Sequence, residues 1–162
     1  MNHFKFLWCF ALIVVYSGWA QAKNISWEVT GASAGVAIIL KDAPNPNTKA
    51  IFFVNFAQER GCQPEVALLV HHNADTGAFE SRQTSKRNMY VIVGNKQIYG
   101  NVIATKYKNG IEFGFFSNED QIKILSGNGS VSVKYLEDMQ PFIFPLDNAR
   151  SAISKARKNC FK

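Results

Sequence analysis

The sequence predicts a mostly β fold: a single-domain β-sandwich or partly open barrel, with a short helix and a C-terminal helix packed on the sheet. Three observations predict it. Seven to nine short runs are rich in β-branched and aromatic residues and are separated by Gly, Asn and Pro turns. Only two segments carry helical periodicity. Beyond the N-terminal leader the chain holds two cysteines, Cys62 and Cys160, placed to tie the last helix to the middle of the chain.

Residues 1–22 read as an export signal. Asn2, His3 and Lys5 form a short polar start, residues 6–16 are apolar, and Ala20-Gln21-Ala22 supplies small side chains at the cleavage positions. The apolar run is shorter than the ~20 residues a spanning helix needs, so no stable transmembrane anchor is expected after cleavage. Removing the leader leaves one domain over residues 23–162, or 140 residues, with a net charge of +5 in place of +6. That mild excess suits an anionic surface or an acidic protein, and it lacks the dense basic stripe of a nucleic-acid binder. Export into an oxidising compartment, periplasmic or extracellular, predicts a Cys62–Cys160 disulfide.

The elements follow in order. Residues 26–30 (SWEVT) alternate as a half-buried strand does. Residues 35–40 (GVAIIL) are an apolar run expected to be buried on both faces. Residues 42–47 (DAPNPN) are a loop, because proline and asparagine do not continue a ladder. Residues 50–56 (AIFFVNF) and 65–70 (EVALLV) are strands flanking the turn at Gly61-Cys62. Residues 71–77 (HHNADTG) read as a polar turn and 81–88 (SRQTSKRN) as a polar, basic loop. Strands follow at 89–93, 98–106 and 111–116, with Lys108-Asn109-Gly110 as a hairpin turn. Ser117 with Asp120 is the expected capping box of a short helix. Residues 130–136 and 142–144 complete the strands. In the closing helix Asp147 is the expected N-cap, and Ala149, Ala152, Ile153, Ala156 and Cys160 share one face at 3.6 periodicity.

The chemistry is sparse. His71, His72 and Asp75 form the one cluster with metal-ligating side chains. Adjacent strand residues point to opposite faces, so no metal site is expected. No nucleophile elbow and no metalloprotease helix motif occurs. Glu28, Glu65, Glu80 and Glu112 are scattered over separate strands. The expectation is therefore a protein without catalytic residues or cofactor. Partner binding is expected from Arg82, Lys86 and Arg87 in the basic stretch and from Phe52 and Phe116. Those two phenylalanines belong to the Phe52-Phe53 and Phe115-Phe116 pairs, where alternation sends one ring inward and the other outward.

The run QIKILSGNGSVSVKY, followed by FIFPLDNARSAISKARKNC, resembles the C-terminal half of the invasion-associated locus B family and of accessory periplasmic proteins of secretion systems. The tryptophan strand at Ser26-Trp27-Glu28-Val29 is similar too. The resemblance implies an exported β domain with an envelope or host-interaction role and no active site to carry over. The expected function is a non-catalytic periplasmic or secreted protein that binds another envelope or secreted protein. It would support an envelope, secretion or conjugation, or host-facing process. The alternative is a small periplasmic enzyme inhibitor or immunity protein.

Overall fold

Long-range β pairing dominates the architecture. The computed structural model describes residues 25–40, 47–72, 76–135 and 139–162. The expected leader and the loop at 42–46 lie outside them, as do Asp75 and residues 136–138. One antiparallel sheet of nine strands contains β1 (Glu28–Thr30), β2 (Ser33–Ile39), β3 (Lys49–Ala57), β4 (Gln63–His71) and β5 (Phe79–Val93). It continues with β6 (Lys96–Tyr107), β7 (Gly110–Phe116), β8 (Ser130–Lys134) and β9 (Phe142–Pro145). The order across the sheet is β1-β2-β3-β4-β7-β6-β5-β8-β9. Of the two architectures expected, the partly open barrel is the one realised: the single sheet curls on itself as a half-barrel.

Alternation builds the inner face. Val36, Phe52, Leu68 and Phe113 form one row across four paired strands, and Ala34, Val54, Val66 and Phe115 form the next. The first row contributes Phe52 and Leu68, both fully buried, to the core. Phe115 packs against Gly100, whose missing side chain makes the room; any Cβ there would collide with the phenyl group. Gly110 likewise lets β7 approach β4, since a Cβ would sit 2.8 Å from that of His71.

The two ends of the curl meet through side chains. Trp27, just before β1, donates its indole N–H to the carbonyl of Pro145 at the end of β9 (2.8 Å). Its ring meets Phe52 edge-on at 5.9 Å, and Phe52 in turn contacts Phe144 at 5.6 Å. Among the described residues no ladder joins β1 to β9, so these rings replace backbone pairing where the barrel would otherwise close.

Helix α2 (Ala149–Cys160) covers that seam, packing on β1, β2 and β3. The five residues expected on its apolar face are all buried. Cys160 is bonded to Cys62 with Cα atoms 5.9 Å apart. Cys62 itself holds a left-handed backbone (φ 60°), directly after Gly61 at φ 64°.

Several local expectations are corrected. Residues 35–40 are not buried on both faces: Ala37 is exposed and Ile39 is 63% exposed, because only one face of β2 meets the core. Residues 81–88 are not a loop but the middle of β5, drawn into the sheet by the long partner strand β6. The short helix α1 (Glu119–Ile122) is capped one residue later than expected. The Asn118 side chain accepts from the Gln121 N–H (2.9 Å), and the Gln121 side chain accepts from the Asn118 N–H (3.2 Å). Ser117 donates to the same Gln121 oxygen (2.8 Å), and Asp120 pairs with Lys123 instead. Asp147 does not cap α2; Asn148 occupies the N-cap at φ 64° without a side-chain bond. Its left-handed turn, following a buried Leu146, sets the entry angle of the helix.

Candidate functional site

Strand β5 carries the structural irregularity that makes a site. Thr84 pairs with Ile103 and Asn88 with Asn101, so Ser85, Lys86 and Arg87 face only Val102 across the ladder. A bulge of this kind bends a strand and re-aims its side chains. The Arg87 N–H bonds to the Ser85 hydroxyl (3.1 Å), which holds the bulge closed. Gln83, Ser85 and Arg87 form one wall of a groove. Val102, Ala104, Ile111 and Phe113 make its apolar floor, and Tyr135, just past β8, makes the opposite wall. The groove encloses about 320 Å³. Tyr135 stacks on Phe113 with ring centres 4.0 Å apart and planes 11° from parallel. A flat aromatic wall, an apolar floor and a cationic rim are the elements of a ligand-binding cleft.

The basic stretch expected to bind a partner is divided by the sheet. Arg82 and Arg87 lie on opposite faces. Arg82 shares a register row with Thr105 and Glu112 on the outer face, and its guanidinium meets Glu65 at 3.8 Å. Arg87 stands in the groove, where among the described residues no carboxylate pairs with it. Lys86 lies in the bulge, and its side chain falls outside the described residues. Phe52 is corrected: it is fully buried, packed between Trp27 and Phe144, and has no surface to offer a partner. The outward member of that pair is Phe53. Phe116 is half-buried, and the Arg60 guanidinium covers its ring at 4.1 Å. His71 is buried and His72 exposed, although alternation along β4 places His71 on the face opposite the inward Val66 and Leu68. Among the described residues no three His, Cys, Asp or Glu side chains come together.

The outer face bears a second polar group of residues. Burial, and then the neighbouring Glu65 carboxylate, push the Glu112 carboxyl above its usual range; Arg82 and a hydrogen bond from the Tyr107 phenol partly offset this. Tyr107 is raised in turn, mainly by burial and then by Glu112. An acid whose folded value exceeds its unfolded one binds more protons when folded. Stability contributed by this group is therefore present below the ordinary carboxylate value of 4.5 and lost as pH rises through the raised one. Glu112→Gln is expected to flatten this part of the stability profile. The variant should gain on the wild type from about pH 4 toward neutrality, as read by urea unfolding across pH. A variant that loses stability with rising pH as steeply as the wild type would contradict this.

These features define a class: a β half-barrel, locked by one disulfide, with an amphipathic groove lined from β5, β6, β7 and Tyr135. The chain matches no protein-family model, no curated protein and no solved structure. No helix among the described residues is long and apolar enough to cross a membrane.

Sequence reasoning missed the groove because its floor comes from β6 and β7 and its wall from β5 and Tyr135. Alternation marks Val102, Ala104, Ile111 and Phe113 as inward-facing, yet inward-facing usually means core. What leaves them open is the length of β5 and β6 beyond the end of β8, which pairs only with Tyr90 to Ile92.

Proposed function

We propose that the chain is a non-catalytic exported binding protein that recognises another envelope or secreted protein through the groove between β5, β7 and Tyr135. One observation carries this reading. Among the described residues Arg87 has no carboxylate partner, and it lies beside the stacked Phe113–Tyr135 pair in a cleft lined by the bulged part of β5. A cation left unpaired beside apolar surface gains from an acidic partner group, which adds both affinity and orientation. The reading of residues 1–22 as an export signal and the Cys62–Cys160 bond support a periplasmic or secreted location, since disulfides persist in oxidising compartments. The resemblance of the C-terminal half to the invasion-associated locus B family supports the same reading.

The test compares partners recovered with the tagged mature chain and with Arg87→Glu. Charge reversal beside a desolvated contact costs a complex about 2–5 kcal/mol, so recovery of a specific partner should fall at least tenfold. Phe116→Ala, on the outer face, should recover it undiminished. Equal recovery with Arg87→Glu, at an unchanged melting temperature, would remove the groove from consideration. A multi-protein membrane assembly among the partners would favour an envelope or secretion role. A single stoichiometric enzyme would favour the inhibitor reading.

A further inference from the structure

We infer that the partner enters as an extended acidic segment that adds a strand to the free edge of β5. This rests on the groove reading above and specifies how the groove is filled. On one side β5 is paired with β6 along most of its length. On the other, β8 reaches only Tyr90, Val91 and Ile92. From Phe79 to Arg87, no described residue pairs with that second edge. Residues 79–84 are all exposed, Phe79 by 61%. A long unpaired edge presents a row of N–H and C=O groups, and a strand added there gains backbone bonds while alternate side chains supply specificity.

The groove lies directly beneath this edge. Gln83, Ser85 and Arg87 form its wall, so every second side chain of an added strand would point down toward Phe113 and Tyr135. That geometry calls for apolar side chains near the stacked rings and an acidic one near Arg87.

Charge selects the occupant. Within β5 the cations Arg82, Lys86 and Arg87 outnumber the one carboxylate, Glu80; Arg82 meets Glu65 at 3.8 Å on the outer face and Glu80 meets Lys106 at 2.9 Å, so the charge facing the groove is that of Arg87. Two copies of this chain paired through β5 would bring two cationic strands together, and opposed like charges destabilise a ladder. An acidic strand from another protein meets no such repulsion.

The probe is a random dodecapeptide library displayed on phage and panned against the disulfide-bonded chain. Selected peptides are then synthesised and titrated by fluorescence anisotropy. The expected binders alternate apolar residues with Asp or Glu. Successive N–H groups of a strand point to opposite sides. Methylating the peptide backbone at alternate nitrogens should therefore weaken binding at least tenfold in one register and leave it unchanged in the other. This readout leaves the protein's own folding untouched. Arg87→Glu should weaken the acidic peptides by at least tenfold as well. Binders that tolerate methylation in both registers yet still depend on Arg87 would overturn strand addition and leave the groove reading intact. Binders indifferent to both would overturn the two together. Selection of basic or charge-free sequences would overturn the acidic assignment. Concentration-dependent dimers abolished by Thr84→Pro would identify a second copy as the occupant and overturn the proposal.

Discussion

Replacing Cys62 and Cys160 together by alanine is expected to lower the unfolding midpoint by roughly 10–20 °C. The bond joins positions 98 residues apart. In the chain-entropy account, closing a loop of that length removes about 4–5 kcal/mol of freedom from the unfolded state. For a domain of this size each kcal/mol moves the midpoint by about 3–4 °C. The native state gives a second reason for a large effect. The bond holds α2 across the seam where Trp27 and Pro145 meet, and no ladder backs up that seam among the described residues. Circular dichroism melts of the double variant, and of the wild type under reductant, should agree. Mass mapping without reduction should recover Cys62 joined to Cys160. A midpoint shift below about 3 °C, or free thiols at both positions, would show that the sheet and its side chains hold the curl unaided.

Phe52→Ala is expected to cost about 3–5 kcal/mol, as truncating a buried aromatic does when the walls cannot collapse. The ring is fully buried and is the shared neighbour of Trp27 and Phe144, so its loss uncouples β3 from both ends of the sheet. That is a large fraction of the 5–15 kcal/mol by which a domain is stable. Phe116→Ala should cost under about 1.5 kcal/mol. Its ring is only half covered, and the Arg60 contact is worth about 0.5–1 kcal/mol at an exposed site. Urea denaturation separates the two, with the denaturant slope unchanged for both. Equal losses would mean that the Phe116 side of the sheet is core as well. The contrast matters for function, because alternation places Phe52 and Phe53 on opposite faces without saying which face is inside.

That ambiguity recurs along the chain. The strands at residues 50–56, 65–70 and 111–116 were legible because their side chains alternate and are β-branched or aromatic. The α2 stripe was legible because alanines at helical spacing permit close packing on a sheet. The middle of β5 was not. SRQTSKRN is polar on both faces, so no period can show in it. It becomes a strand because β6, with Val102 and Ala104 facing inward, is long enough to require a partner along its length. The capping box of α1 was legible in kind and shifted in position, since Ser117 and Asn118 both carry a capping oxygen and only the chain's entry angle chooses between them.

The sequence alone therefore determined the fold class, the closing helix with its buried face, and the pairing of Cys62 with Cys160. Each depends on local periodicity or on the arithmetic of two cysteines. Tertiary structure decided which strands are neighbours, and with that the site. Placing β7 rather than β5 beside β4 sends β5 outward, where β8 covers only its C-terminal end. The groove and the open edge both follow from that choice. It is made by pairing between residues distant in sequence, whose energies no local pattern records.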